Sequence, residues 1–280
     1  MSYRKKFIVK PGSHVDLASI DPASKGEHAR KGEAADEMAS DDEKLSELQY
    51  LLYAGNEHSL LIVLQGLDGS GKDGTIGHVF RALNPQGARV HAFKEPSREE
   101  AAHDFLWRAH AAAPARGEIV IFNRSHYEDV LIVRVHNLVP PGIWSQRYEL
   151  INAFEKSLAE AGTTILKFYL HMSPQEQLKR FKARLDDPSR QWKISEADYA
   201  ERKYFPEYLH AYKDALERTS TPYAPWFIIP SDHKWFRNLA VSKIVVETLA
   251  SLGMKLPHTA VDLADIRHKY HQAKREEKPT

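Results

Sequence analysis

Short apolar runs of strand length alternate along the chain with stretches whose apolar residues recur every three or four positions. The first strong run, Ser59–Gln65, is apolar at every position between its two ends. Such a run is typical of a strand that is buried on both faces of a parallel sheet. Four further runs predict strands at residues 88–93, 118–123, 163–170 and 226–229.

Signals of helix starts and stops lie between these strands. Ser97-Arg-Glu-Glu100 and Ser173-Pro-Gln-Glu176 have the spacing of a capping box, in which a serine and a later glutamate bond the first backbone N–H groups of a helix. Gly162 is a good stop for a long helix that begins near Ser145. Strands that alternate with helices predict right-handed βαβ units, and therefore an α/β fold with a parallel sheet in a three-layer sandwich.

The two ends of the chain are polar and weakly patterned. Residues 1–41 predict an N-terminal arm, within which the apolar Phe7-Ile-Val9 is suited to pairing with another element. A helix with leucines on one face follows, from about Leu45. The charged residues 257–280 predict a tail that packs little or reaches a neighbouring subunit, which leaves 42–256 as the main domain.

Composition narrows the class of protein. The chain has 280 residues, which suits one sizeable domain, and it has no cysteine, which excludes disulfides, thiolate zinc sites and cysteine nucleophiles. The net charge of +1 gives no overall field that would attract nucleic acid or a membrane surface. No apolar run approaches the ~20 residues of a membrane span, and no signal peptide is recognised, so we expect a soluble cytoplasmic protein.

The segment Gly66-Leu-Asp-Gly-Ser-Gly-Lys-Asp73, called the phosphate loop below, matches G-x-x-x-x-G-K between a strand and a helix. Glycines such as Gly69 and Gly71 let the backbone curl so that its N–H groups point at phosphate oxygens. Lys72 adds a full positive charge. A glycine-rich turn that contains a lysine by chance is the alternative, but it does not account for the flanking strand and helix.

Position 73 is aspartate, where such loops normally have a serine or threonine that binds Mg²⁺. Asp68 places a second carboxylate in the loop. Two acids beside Lys72 are explained if Mg²⁺ lies there, since carboxylate oxygens are ligands that it prefers. The alternative for Asp73 is a first-turn residue that only favours the helix dipole.

A second polar motif, Asn123-Arg-Ser-His-Tyr-Glu-Asp129, follows the strand at 118–123 and should face the phosphate loop, because ligands bind at the carboxyl ends of parallel strands. Arg124 is a candidate to bind phosphate, and Arg134 lies close enough along the chain to assist. Glu128 and Asp129 are candidates to bind metal or orient a nucleotide, although a helix cap with an acidic first turn is the alternative.

Residues 180–200, called the lid below, form a basic excursion. Arg180 and Arg184 share a helix face, and Pro188 then interrupts the helix before Arg190, Trp192 and Lys193. A kinase needs such a segment to exclude water and neutralise charge on the transferred group. A solvated basic helix is the alternative interpretation.

Together these segments resemble the polyphosphate kinase 2 family. The resemblance covers Gly66–Gly74, Phe122–Val130, Arg184–Lys193, Tyr223–Trp226 and Pro230–Asn238. It implies a P-loop fold related to thymidylate kinase, Mg²⁺ as cofactor, and reversible transfer of phosphate between inorganic polyphosphate and nucleotides. The phrase Asn-Arg-Ser…Tyr-Glu-Asp resembles the subgroup that phosphorylates both AMP and ADP, forming ADP and ATP, with guanine nucleotides as further candidates. A homo-oligomer, dimer or tetramer, is also implied.

The resemblance also implies roles for single residues. Catalytic roles fall on Asp68, Lys72, Arg124 and Arg184, and metal binding on Asp68 and Asp73, with Asp129 as a third candidate from the second motif. The remaining binding candidates are Gly69, Gly71, Asp73, Gly74, Asn123, Tyr127, Glu128, Arg134, Arg180, Trp192 and Lys193. Many members of the family have aspartate at position 123, so Asn123 removes a carboxylate that Glu128 and Asp129 are candidates to replace.

Long polyphosphate anions on a nearly neutral chain require a local basic track. Lys72, Arg124, Arg134, Arg180, Arg184 and Lys193 are its candidates, with Arg81 and Lys94 as less certain additions. Trp192 or Tyr127 is expected to stack on the nucleobase.

Two rival functions stay open: an ATP-dependent nucleoside or nucleotide kinase of the thymidylate kinase type, and a nucleotide-binding module without catalysis.

Overall fold

The computed structural model describes residues 2–28 and 30–277, and its centre is a sheet of five parallel strands. The strands are β1 (Ser59–Gln65), β2 (Ala88–Ala92), β3 (Ile119–Asn123), β4 (Thr163–His171) and β5 (Trp226–Pro230). Their order across the sheet is β2-β3-β1-β4-β5. The five predicted strands are therefore confirmed, with ends that differ from the sequence prediction by one residue at most.

Thirteen α-helices lie in the described residues. They are α1 (Tyr3–Phe7), α2 (Lys31–Gly55), α3 (Lys72–Val79), α4 (Arg98–Ala102), α5 (Trp107–Ala112), α6 (Ile132–Val135), α7 (Pro141–Trp144), α8 (Arg147–Glu160), α9 (Pro174–Leu185), α10 (Glu196–Arg202), α11 (Phe205–Thr219), α12 (Lys234–Ser251) and α13 (Leu263–Glu276). Three 3₁₀ helices cover Leu17–Ser19, His126–Val130 and Gln191–Lys193.

Strand β1 is central because every one of its residues is buried. Its side chains alternate between two apolar cores, with Leu61 and Val63 facing one and Leu60, Ile62 and Leu64 facing the other. Helices α8 and α11 cover the first core, and α2, α3 and α12 cover the second. This arrangement confirms the predicted α/β sandwich of three layers, which the strand order assigns to the P-loop kinase type.

Two helices differ from the sequence prediction. Helix α2 begins at Lys31, well inside the predicted arm. The sequence did not indicate its first turns because they are polar and only Ala34 and Asp41 are buried there. The capping box at Ser97 predicts one helix that continues through Phe105, Leu106 and His110, but the structure has two. The chain leaves the helical conformation at His103 and restarts where Asp104 accepts a hydrogen bond from the Leu106 N–H. The division at residue 41 stays a prediction, and it does not coincide with a break in secondary structure.

The chain ends behave differently from each other. The N-terminal segment packs on the sheet edge, where Ile8 forms an antiparallel bridge with Phe227 and the Val9 N–H donates to the Trp226 carbonyl at 2.8 Å. Helix α13 has no buried residue. Among the described residues, no helix combines the length and the apolar character that crossing a membrane requires.

Candidate active site

The phosphate loop leaves β1 at the carboxyl edge of the sheet and ends in the first turn of α3. Gly69 and Gly71 have φ of 85° and 101°, a conformation that residues with a side chain rarely adopt. Gly71 is also the N-cap of α3, so the loop amides and the positive end of the helix dipole lie together. The backbone therefore forms the anion-binding turn that the motif predicts.

Lys72 lies in the first turn of α3 and is buried. Its ammonium group donates hydrogen bonds to the carbonyl oxygens of Gly66, at 2.6 Å, and of Leu67, at 3.4 Å. Burial, and after it the charge of Arg124, lower the pKa of Lys72 to about 8. The positive charge of Lys72 is thus held beside the loop and is only weakly solvated.

Arg124 follows β3 in the left-handed conformation, with φ of 60°, and its backbone N–H donates to the Leu64 carbonyl at 3.0 Å. Its guanidinium donates to the carboxylates of Asp68, at 2.5 Å, and Glu128, at 3.1 Å. Burial acts to raise the pKa of Asp68, but the charges of Lys72 and Arg124 outweigh it and hold that pKa below its usual value. The two sequence motifs therefore meet in an ion pair.

Asn123 is the last residue of β3, and its side-chain amide donates to the Asp73 carboxylate at 2.8 Å. An aspartate at position 123 would place a second negative charge at this contact and repel Asp73. Asn123 therefore holds Asp73 by a hydrogen bond that an aspartate at position 123 could not provide.

The loop opens onto a cavity of about 680 Å³. Its basic lining residues are Lys72, Lys94, Arg124, Arg180, Arg184, Arg190, Lys193, Lys234 and Arg237. Its acidic lining residues are Asp68, Asp73 and Asp198. Nine basic side chains against three acidic ones make this cavity strongly positive although the chain carries a net charge of only +1. A polyanion is the ligand that such a field favours.

The lid covers one side of this cavity. Arg184 lines the cavity and lies 3.9 Å from the Asp198 carboxylate, while Trp192 has 77% of its surface exposed. The Lys193 ammonium lies 5.0 Å from the Trp192 ring centroid. An exposed indole among cations at the edge of an anion-binding cavity is free to stack on a planar ligand.

Arg180 lines the cavity as predicted, but its guanidinium is not available to a ligand. It is buried, and its N–H groups donate to the Glu176 carboxylate and to the carbonyls of Gly69, Ser70, Ser231 and Asp232. Since a guanidinium has five N–H donors, all of them are used. Arg180 holds the phosphate loop against the segment after β5, and in this structure none of its N–H donors remains for the ligand that the sequence prediction assigned to it.

Four further candidates do not line the cavity: Tyr127, Glu128, Asp129 and Arg134. Glu128 lines a small separate pocket together with Asp68 and Arg124. Tyr127 is wholly buried, and its hydroxyl donates to the Glu155 carboxylate at 2.8 Å, so it cannot stack on a nucleobase. Asp129 pairs with Arg147 at 3.0 Å, and burial raises its pKa to about 6. Neither forms part of the site, because the 3₁₀ helix at His126–Val130 turns both side chains into the protein.

Arg134 is likewise removed from the predicted basic track. Its guanidinium donates to the Asp214 carboxylate at 2.7 Å and lies over the Trp144 ring at 4.6 Å. Arg81, a less certain addition to the track, pairs with Asp42. Lys94, the other addition, lines the cavity.

Among the Lys and Arg residues of the cavity, sequence reasoning missed two, Lys234 and Arg237, both in the first turn of α12. A signal was present, because the segment Pro230–Asn238 follows the last strand and its start must lie at the same carboxyl edge of the sheet. These residues were part of the family resemblance, but no role was given to them.

The fit of the site to a metal ion depends on its acidic side chains. No group of three or more His, Asp or Glu side chains in the described ranges is arranged to hold a metal. Asp68 and Asp73 both line the cavity beside the loop. Mg²⁺ commonly binds through one or two carboxylates together with waters and substrate phosphates, so this donor set fits Mg²⁺ and not a closed protein cage.

Comparison with protein families gives one match that covers most of the chain. The model of the family described as polyphosphate kinase 2 matches residues 28–256. This range begins before α2, ends after α12 and includes the phosphate loop, the second motif and the lid.

Two similar proteins match over nearly their whole length. An AMP/ADP-polyphosphate phosphotransferase of Meiothermus ruber is 48% identical over 254 residues, which cover 90% of this chain and 95% of that protein. An ADP-polyphosphate phosphotransferase of Rhodopseudomonas palustris is 44% identical over 271 residues, covering 91% and 92%. Among solved structures, a polyphosphate kinase 2 from Arthrobacter aurescens superposes with a TM-score of 0.93 at 42% identity, covering 97% of each chain.

Proposed function

The chain belongs to the polyphosphate kinase 2 family, and on that premise we propose that it transfers a phosphoryl group from inorganic polyphosphate to AMP and ADP. The terminal P–O–P bond of polyphosphate breaks, the phosphoryl group bonds to the terminal phosphate oxygen of the nucleotide, and polyphosphate is shortened by one unit. The products are ADP and ATP, and the reaction is reversible. The observation that carries the proposal is a phosphate loop that opens onto a cavity with nine basic side chains.

The residues in and beside the cavity have different roles in this transfer. The loop amides and Lys72 bind phosphate oxygens, and Arg124 and Arg184 offset the negative charge that is shared by the donor, the acceptor and the transferred group. Glu128 engages Arg124 and is proposed to orient it towards the nucleotide. The lid excludes water, so that the phosphoryl group passes to a nucleotide instead of to water.

Supplying polyphosphate as the only donor tests the proposal directly. The protein should form ATP from ADP and ADP from AMP, and a parallel assay with GMP and GDP tests guanine nucleotides. The rival is an ATP-dependent nucleoside or nucleotide kinase of the thymidylate kinase type. No product with polyphosphate, together with phosphorylation of a nucleoside or nucleotide by ATP, would replace our proposal with that rival.

A nucleotide-binding module without catalysis is excluded by a second measurement. Lys72→Ala should lower kcat by about 10²–10³-fold or more while the protein stays folded, because a charge that stabilises the transition state is lost. An unchanged kcat in the Lys72→Ala protein would show that the observed turnover does not arise in this cavity.

We propose Mg²⁺ as the cofactor, with Asp68 and Asp73 as the residues that would hold it. Bound there, Mg²⁺ would offset charge on the phosphate oxygens. Removal of divalent ions by EDTA should abolish transfer and added Mg²⁺ should restore it, and Asp73→Asn should need a higher Mg²⁺ concentration. Full activity in EDTA would contradict the metal proposal.

Trp192 is proposed to stack on the nucleobase, since its ring is exposed at the cavity while Tyr127 is buried. Loss of one stacking contact is worth about 1–3 kcal/mol in nucleic-acid proteins. Trp192→Ala should therefore weaken ADP binding by about 5- to 150-fold in calorimetry, and Trp192→Phe should retain most of it. Equal ADP affinity in Trp192→Ala and the unchanged protein would rule this contact out.

The quaternary structure and location complete the proposal. We propose a homo-oligomer, dimer or tetramer, in which α13 contributes to a subunit contact, because Leu263, Ile266 and Tyr270 are exposed on it. Sedimentation of the full chain beside a chain that ends at Met254 tests this, since loss of α13 should lower the oligomeric state.

We also propose a cytoplasmic location, because AMP and ADP are abundant there.

A further inference from the structure

Arg237 is a buried arginine on the wall of the cavity. It lies in the first turn of α12, with 2% of its surface exposed, and it lines the cavity together with Gly71 and Lys72. Its Nη1 donates to the Ser70 carbonyl at 3.0 Å. Its Nε and Nη2 both donate to the Asn238 side-chain oxygen, at 3.1 and 2.8 Å. Three of its five N–H donors are therefore occupied.

No carboxylate of the described residues pairs with this guanidinium. Burial, and after it the charge of Arg180, lower the pKa of Arg237 to about 9, and no acidic neighbour opposes them. The group still carries its charge at neutral pH. A buried charge without a partner is costly, so its retention points to a ligand that balances it.

Arg180, which lies next to Arg237, shows what a purely structural arginine looks like in this protein. Both donate to the Ser70 carbonyl, but Arg180 is paired with Glu176 and has used all five donors. Arg237 has two donors left and no acidic partner among residues 2–28 and 30–277. The two side chains brace the same loop and differ in whether charge and donors remain for an anion.

Two glycines make room for this side chain. A Cβ on Gly71 would lie 1.8 Å from Arg237 Nη1, and a Cβ on Gly74 would lie 3.2 Å from Nη2. Gly74 lies inside α3, where glycine is less favourable for helix formation than alanine. The guanidinium therefore lies directly against the backbone that binds phosphate.

We propose that Arg237 is a further polyphosphate-binding residue, whose unpaired guanidinium is neutralised by the phosphate chain on the loop and holds the Ser70 carbonyl so that the loop amides face that chain. The proposal rests on the proposed function, because it takes polyphosphate as the bound anion. It assigns Arg237 to charge balance in binding, in contrast to the structural role of Arg180.

Asn238→Asp is the sharpest test, because it changes one amide into a carboxylate of the same shape where Arg237 already donates twice. The variant keeps Arg237 in place but supplies its missing partner. We expect an equal or higher melting temperature without ligand, and about 10- to 100-fold weaker binding of inorganic tripolyphosphate and of longer polyphosphate in calorimetry. Arg237→Met should weaken binding by a similar factor.

The salt dependence separates a ligand contact from a structural effect. For a linear polyanion, removing one cation that contacts it lowers the slope of log affinity against log salt concentration by about one. Both Asn238→Asp and Arg237→Met should show this lower slope, whereas Arg237→Lys should keep the slope with intermediate affinity. Arg147→Met is the matched control, since Arg147 is a mostly buried arginine paired with Asp129 outside the cavity, and its loss should lower the melting temperature without changing the slope.

The outcomes are distinct. If the unchanged protein binds no polyphosphate, the proposed function itself fails. If the unchanged protein binds polyphosphate and Asn238→Asp binds it equally well, Arg237 needs no anion and our inference is wrong. Weaker binding in Asn238→Asp with an unchanged salt slope would also overturn it, since that result indicates a displaced loop and not a lost charge contact. Should Arg237→Met fail to fold, the isosteric Asn238→Asp decides alone.

Discussion

The ammonium group of Lys72 is buried and lies near Arg124, and both effects lower its pKa, so it loses its proton closer to neutral pH than an exposed lysine does. With a pKa of about 8, the ammonium is mostly charged at pH 7 and mostly neutral at pH 9. A phosphate beside it raises the pKa, because an opposite charge favours the protonated form. Binding of polyphosphate is therefore coupled to uptake of a proton above pH 8, and it must weaken as the pH rises.

We expect the affinity for tripolyphosphate to be nearly constant from pH 6.5 to 7.5 and to fall above about pH 8, by at most tenfold per pH unit. Calorimetry at fixed ionic strength between pH 6.5 and 9.5 measures it. Lys72→Ala provides the control. The variant should bind more weakly but without this decrease above pH 8, and any pH dependence that it retains measures the titration of the ligand itself. An affinity of the unchanged protein that does not vary up to pH 9.5 would show that Lys72 remains charged throughout.

The sequence predicted single residues best where the backbone determines their position. Asp68, Lys72 and Asp73 belong to one glycine-rich turn, so spacing alone brings them to one place. Tyr127 and Asp129 lie in the second motif, yet their side chains enter the core, because the 3₁₀ helix that carries them is oriented by Glu155 and Arg147 on α8. Partners so distant along the chain leave no local signal in one sequence.

A buried ion pair connects the elements behind the second motif. Lys167 on β4 and Glu155 on α8 are both fully buried, with 2.6 Å between Nζ and Oε2. Lys167 also donates to the Tyr127 hydroxyl and to the Thr219 carbonyl, at 2.8 and 2.7 Å. The network thus ties the 3₁₀ helix after Arg124 to β4, α8 and α11.

Lys167→Met should destabilise the protein strongly, because it leaves the Glu155 carboxylate buried without its partner. Removing one member of a buried pair costs about 3–5 kcal/mol in free energy of unfolding. Urea unfolding measures the loss, and the double variant Lys167→Met, Glu155→Gln should recover part of it. A loss below 1 kcal/mol for Lys167→Met would mean that Glu155 gains a proton or water at little cost.

At the scale of elements, the sequence predicted strands more accurately than helices. Strand β1 is apolar between its polar ends, Ser59 and Gln65, because both of its faces are covered, and such a run has clear ends. The sequence prediction missed the first turns of helix α2. Only Ala34 and Asp41 are buried in these turns, so the sequence there lacks the regular spacing of apolar residues that indicates a helix. The Asp41 contact with Lys243 of α12, at 3.1 Å, fixes this part of α2 and lies far away in sequence.

The whole molecule is nearly neutral, but in the cavity nine basic side chains face three acidic ones, so the cavity has a local excess of positive charge. That distribution follows from topology. The loop after β1, Arg124 after β3 and the first turn of α12 after β5 all lie at the carboxyl edge of the parallel sheet, and the lid extends over them from the end of α9. Composition could not show this clustering, because acidic residues elsewhere balance the same charges.

The lid is the part of the molecule that we expect to change most on binding. Between α9 and α10 its hydrogen bonds are local, such as those from the Ser189 hydroxyl to Asp187 and from the Gln191 side chain to the Leu185 carbonyl. Segments held by few long-range contacts open readily, and we expect Arg184, Arg190 and Lys193, which line the cavity, to gain partners when a polyanion binds.

Hydrogen exchange should therefore be fast at residues 186–195 and should slow at least several-fold when polyphosphate and ADP are added together, because closure of the lid orders the backbone between α9 and α10. Helix α13 is the internal control, since it is exposed and does not line the cavity, and its exchange should not change unless subunits associate. Each ligand added alone distinguishes the two contacts, with Trp192→Ala expected to reduce the protection by ADP and not that by polyphosphate. Equal exchange at residues 186–195 with and without both ligands would mean that the lid is already closed and that water is excluded by the bound ligands themselves.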